Sequence, residues 1–210
     1  MQQGLVNIES KIQSFWEWFI ETEEAIQEYF SEEEMVDKAA LIESIDERVL
    51  DFGLFSWEIG PGVGRPFYLT ISPNGNRERL RISKMIMESA PNLPDWEFHY
   101  AKPPKAWDLS FILFDDFMVE REVDASPWRY AFRNKQEGRV EVILEAQNTS
   151  HLDPDTRLIA GERAIANLLG EEVKINHVYR VEVVEALDEQ DRAGSAPITE
   201  LSQHLEALAL

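Results

Sequence analysis

The chain has 210 residues, of which 44% are hydrophobic and 10% aromatic, and 40 Asp plus Glu against 20 Lys plus Arg leave a formal charge of −20. Six Trp, 11 Phe and 5 Tyr supply a core and exclude disorder over most of the length. The acid excess excludes direct binding of nucleic acid or of an anionic membrane surface, since either would have to proceed against the chain's own field.

The charge is uneven: residues 1–60 hold 15 acids and 3 bases, residues 61–110 hold 5 and 7, and residues 111–210 hold 20 and 10. The acidic N-terminal quarter reads as helical. Ile8, Ile12, Phe15, Trp16, Phe19, Ile26, Tyr29 and Phe30 recur at the spacing of one helix face. Ser31-Glu-Glu-Glu34 matches a capping box that starts a second helix, with Met35, Ala39, Ile42, Ile45 and Val49 as its stripe and Phe52-Gly53 as its stop. A helical hairpin over residues 1–52 is expected.

After Gly53 the period changes to two. Phe55, Trp57 and Ile59 alternate with Leu54, Ser56 and Glu58, Gly60-Pro-Gly-Val-Gly64 turns the chain, and Pro66–Ser72 alternates again, which gives a β-hairpin. Pro73-Asn-Gly-Asn76 punctuates the chain and would cap a helix over roughly 77–89, and Trp96, Phe98 and Tyr100 mark a strand stopped by Pro103-Pro104. Strands are then expected at Leu109–Phe114, Phe117–Val123, Trp128–Arg133 and Val140–Ala146, with a turn at Lys135–Gly138. Asp153 as cap, Pro154 at the first helical position and Gly170 past the end delimit another helix. The β-branched stretch Val173–Val184 reads as the last strand, Asp188–Ser195 as a polar linker and Pro197–Leu210 as a short helix. The expectation is an α+β fold: a mixed, mainly antiparallel sheet of two ββ(β)αβ halves with helices on one side, preceded by the acidic hairpin. The segments are 1–52, 53–187, and 188–210 as linker and C-terminal helix, expected to make one compact unit.

Phe67-Tyr-Leu-Thr-Ile-Ser-Pro-Asn-Gly-Asn76 followed by Ala90-Pro-Asn-Leu-Pro-Asp-Trp96, and later Leu168-Leu-Gly-Glu-Glu-Val173, resembles the pattern of an uncharacterised bacterial domain family of unknown function. The resemblance covers roughly residues 54–185, with Ala166-Asn167 where that family has Leu-Asp. It implies no catalytic residues. Some relatives look like partners in bacterial toxin and immunity systems, which implies a protein-binding role.

The chemistry-bearing motifs are few. Gly60–Gly64 is followed by a strand and not by a helix, so its N–H groups lack the dipole that a phosphate loop supplies, and it reads as a turn. Absent cysteine removes disulfides, thiolate metal sites and cysteine nucleophiles, and fits a reducing compartment. The first residues carry no basic stretch followed by an apolar one, and Phe111–Phe114 is as long as any apolar run gets, so a cytoplasmic location is expected. Asn148-Thr-Ser150 is a glycosylation sequon in form only. No nucleophile elbow and no His-Glu-x-x-His occurs, and no cofactor is expected.

Three readings of function follow. The favoured one is a non-enzymatic, immunity-type interaction module whose Trp18, Glu21, Glu23, Glu24, Glu28, Glu32, Glu33 and Glu34 meet a protein with a basic surface. The second is a metal-dependent hydrolase using His151, Asp155, Asp115 and Asp116, set against the reading of Asp153 next to them as a helix cap. The third is an anion-binding module using Arg77, Arg81 and Lys84 on one helix face, set against a solvated face. The lone His99, His177 and His204 read as packed or exposed side chains.

Overall fold

The computed structural model describes residues 2–30 and 38–209. The chain is α+β and divides into two compact units, Met1–Lys102 and Pro103–Leu210. That boundary lies inside the 53–187 segment drawn from sequence, because the N-terminal hairpin and the C-terminal helix are each built into the core of a unit.

In the first unit α1 (Gln2–Phe30) and α2 (Lys38–Leu50) form the expected hairpin, with the capping box at Ser31 and Met35 outside the described residues. β1 (Ser56–Pro61) pairs antiparallel with β2 (Phe67–Ser72), and α3 (Arg77–Glu88) leads to β3 (Trp96–His99), which pairs parallel with β2. Asn76 caps α3, accepting from the N–H of Glu78 and Arg79. One sheet face joins Leu69, Ile71, Trp96 and Phe98 to Phe15, Trp16, Phe19 and Ile26 of α1, and Leu41, Ile45 and Val49 of α2 close the same core. Edge-to-face rings at 4.9 Å, Phe19 on Trp96 and Trp16 on Phe98, fix α1 on the sheet. The aromatic excess of α1 is thus core. The Gly60–Gly64 turn does enclose a carboxylate, but the protein's own: the N–H groups of Gly64 and Arg65 both donate to Glu97 Oε1 and, with Gly64 the largest influence, hold that carboxyl below its usual range.

The second unit opens with a separate two-stranded sheet, β4 (Ser110–Phe114) against β5 (Glu120–Asp124). Then β6 (Arg129–Gln136), β7 (Arg139–Glu145), α4 (Pro154–Leu169), α5 (Glu171–His177), β8 (Val178–Val184), α6 (Glu189–Ala193), β9 (Ala196–Pro197) and α7 (Leu201–Ala209) follow. The four-stranded sheet has the order β8-β7-β6-β9, with only β7 and β8 parallel. Each unit therefore contains the expected ββαβ order: an antiparallel pair, then a helical crossover to a parallel neighbour.

Three expectations are corrected. Residues 173–177 are helix and not strand: Gly170, at φ 75° and ψ 157°, ends α4 and opens α5, and the acids Glu171 and Glu172 lie in the first turn, where the helix dipole favours them. His177 consequently ends a helix. Residues 189–193 form α6 in place of a linker, capped by Asp188, which accepts from the N–H of Asp191. Helices are not confined to one side of the second sheet. Val142 and Leu144 pack with Ala160, Ala164, Ile165, Leu201 and Leu205 on one face, while Ile143 and Ala131 meet Leu187 on the other. Charges on that other face are paired. Arg133 meets Asp191, Glu145 accepts from Arg192 at 2.6 Å, and Glu141 forms an ion pair with Arg180 at 3.3 Å.

Candidate functional site

The residues proposed to bind a partner separate into three fates. Glu21, Glu24 and Glu28 stand exposed on α1 and, with Glu17, follow the i, i+4, i+7, i+11 spacing of one acidic stripe. Glu23 is withdrawn from it, half-buried and accepting from Trp96 Nε1 at 3.1 Å and Gln27 Nε2 at 2.9 Å. Trp18 is half-buried, with the Arg48 guanidinium 4.4 Å from its ring centroid, a cation–π stack that covers one face of the indole. Glu32, Glu33 and Glu34 lie outside the described residues.

Beside the acidic stripe α1 and α3 enclose a groove of about 450 Å³. Its floor is Ile12 and Trp16, both 4% exposed, and its apolar walls are Ile20, Met85 and Pro91. Glu9 and Glu17 rim the α1 side and Glu88 the α3 side. Trp16 donates from Nε1 to the Ile86 carbonyl at 2.8 Å, which pins the floor residue to α3 and fixes the separation of the helices. Gln13 donates to Glu17 at 2.8 Å and orients that carboxylate along the rim. Ile20 is 50% exposed, an apolar side chain with no cover on an otherwise acidic surface. From Glu9 to Ile20 the groove follows about 16 Å of helix axis. Sequence reading found Glu21, Glu24 and Glu28 of the neighbouring stripe but missed the groove's own Glu9, Glu17, Ile20, Met85, Glu88 and Pro91. Ile20 falls off the main apolar stripe, which was the available signal; the α3 wall is set by tertiary packing.

The four residues nominated for a metal are not brought together. Asp115 closes a turn: its Oδ1 accepts from the N–H of Phe117 and of Val119, both at 2.9 Å, and its Oδ2 from Arg121 Nε at 2.9 Å. Asp116 is exposed next to it, whereas His151 and Asp155 lie exposed at the start of α4, where Asp153 is confirmed as the cap that accepts from the N–H groups of Asp155 and Thr156. Among the described residues no group of three or more His, Asp or Glu is placed to hold a metal ion. In the basic set, Arg77 and Arg81 are exposed, while the Lys84 ammonium lies 4.9 Å over the Tyr100 ring. His99 lies 3.5 Å from Glu97, and His204 meets the Tyr130 hydroxyl, whose pKa burial and then Glu200 push up to about 12. Among the described residues no helix is long and apolar enough to cross a membrane.

Comparison of the chain with models of protein families, with curated protein sequences and with solved structures found no match.

Proposed function

We propose that the chain is a non-catalytic, cytoplasmic interaction module, of the immunity type that the resemblance implies, and that it seats a basic amphipathic helix of a partner protein between α1 and α3. One observation carries this reading: an apolar floor and the half-exposed Ile20 lie between carboxylates on both rims, Glu9 and Glu17 opposite Glu88. A third helix laid along such a groove buries one apolar stripe and places Lys or Arg at the flanking positions, where both rims attract them. The absence of cysteine supports a reducing compartment.

The test is titration of the full chain with a synthetic Leu/Lys amphipathic helix of about four turns, long enough to be helical when bound. Ile20→Asp, which places a charge in the wall, and the double reversal Glu17→Lys with Glu88→Lys are each expected to weaken binding at least about tenfold, or about 1.4 kcal/mol. All three positions border solvent, so circular dichroism is expected to be unchanged. A wild-type chain that ignores the peptide, or variants that bind as well as wild type, overturns the reading.

A further inference from the structure

The β4–β5 sheet presents a second surface, independent of the groove. Its inner face sends Leu113 and Val123 into the core of the second unit, while Ile112 and Phe114 stand on the outer face opposite Glu122 and Glu120. At the turn Phe117 is 87% and Met118 76% exposed, values that leave these large apolar side chains almost wholly in water. Two backbone bonds bracket the ladder, Asp115 N–H to Val119 O at 3.0 Å and Ala125 N–H to Leu109 O at 2.9 Å. By the alternation of an antiparallel pair, the odd-numbered residues between them exchange hydrogen bonds and the even-numbered ones point theirs outward. On β4 that edge is blocked at Ile112, whose carbonyl accepts from Arg163 at 2.8 Å. On β5 the carbonyl of Asp124 accepts from Asn148 at 2.7 Å. Glu120 and Glu122 turn N–H and C=O away from β4, and among the described residues no strand lies beyond them.

An open strand edge is a template for another strand, and charge decides which one. A second copy laid antiparallel along β5 would set Glu120, Glu122 and Asp124 against themselves, a like-charge arrangement that is destabilising across strands. A segment with Lys or Arg at alternate positions meets the same row favourably. We propose that the outer edge of β5 docks an extended basic segment of a partner protein. The segment adds antiparallel as a third strand, pairs its main chain with Glu120 and Glu122, sets basic side chains beside their carboxylates, and lays an apolar residue on Phe117 and Met118.

The probe is a fluorescein-labelled peptide with the sequence Lys-Val-Lys-Val-Lys-Phe, whose C-terminal Phe reaches the Phe117–Met118 end of β5 when the peptide lies antiparallel, titrated against the full chain by anisotropy. In the proposed pairing the lysines lie directly opposite Glu120 and Glu122, so their N–H groups face β5 and those of the valines face away. Saturable binding is expected, with Glu120→Lys plus Glu122→Lys weakening it at least about tenfold. N-methylation of the lysines is expected to weaken binding by a similar factor, while N-methylation of the valines leaves it within about twofold. Equal loss or equal retention by the two methylated peptides, or no effect of the charge reversal, overturns the proposal. Ile20→Asp, which addresses the α1–α3 groove, is expected to leave this peptide's affinity unchanged, so either surface can fail without the other.

Discussion

Asp115 shows how a single carboxylate can be read two ways. In sequence it stands beside Asp116 as a candidate ligand, but in the structure every contact serves the turn that carries Phe117 and Met118: two N–H groups on one oxygen, the Arg121 side chain on the other. Met118 takes a positive φ of 59°, and Asp115 holds that turn closed by accepting on either side of it. The Val119 N–H first, with Arg121 and the Phe117 N–H, holds the carboxyl below its ordinary value of 3.8. A folded-state pKa below the unfolded one means stabilisation that is present above the unfolded value and lost as pH falls through the folded value. Asp115→Asn keeps one acceptor but loses the charge facing Arg121. It is therefore expected to lower the melting temperature at neutral pH, with the difference from wild type closing as pH falls below about 4. Thermal unfolding of both chains across that range checks it; a gap independent of pH would remove the charge from the account.

At the scale of elements, the second unit depends on how closely α4 approaches its sheet. The approach is at Gly161, where a Cβ would fall well inside contact with Val183 Cγ2 and 3.2 Å from Leu144 Cδ1. Alanine in a helix interior gains roughly 0.5–1 kcal/mol over glycine, but overpacking a filled core costs about 1–3 kcal/mol. The offending atom is a branched methyl held on a strand, not the free end of a long side chain, so overpacking wins. Gly161→Ala is expected to destabilise by about 1–2 kcal/mol in urea unfolding, and a gain in stability would refute the close approach. The ends of α4 were legible because capping is local chemistry: Asp153, Pro154 and Gly170 sit next to the backbone groups they satisfy. Residues 173–177 were not, since β-branched composition records packing as much as backbone preference, and Gly170 passes one helix directly to the next. Nor was α6, which faces the sheet through pairs formed at long range, Arg133 with Asp191 and Arg192 with Glu145. The candidate groove divides in the same way. The acidity of α1 is visible as a charge pattern, but that pattern does not single out the groove-lining Glu9 and Glu17, and Met85, Glu88 and Pro91 become the second wall only once Trp16 is tied to Ile86.

For the whole molecule the question is whether the charge of −20 acts as a field or as a set of local contacts. Sequence placed the excess on the N-terminal hairpin, but division at residue 102 gives 19 acids and 9 bases in the first unit and 21 acids and 11 bases in the second, a net −10 in each. Both candidate surfaces therefore sit in a field of one sign, and a basic chain is drawn to either before any contact forms. A field acts on encounter: it raises the association rate by 10- to roughly 1,000-fold and is screened as the Debye length shrinks from about 30 Å at 0.01 M salt to about 3 Å at 1 M. Contact pairs in a desolvated groove act instead on dissociation. For the Leu/Lys helix, raising salt from about 0.01 to 0.5 M is expected to lower the association rate at least about tenfold and to change the dissociation rate less than about threefold. Ile20→Asp should show the reverse signature, a faster dissociation at every salt concentration with the slope of the association rate retained, because it alters the wall of the groove and adds only one charge to twenty. Stopped-flow fluorescence separates the two rates. If salt acted mainly on dissociation, the rim carboxylates Glu9, Glu17 and Glu88 would carry the recognition by themselves, and the remaining acids would contribute solubility alone.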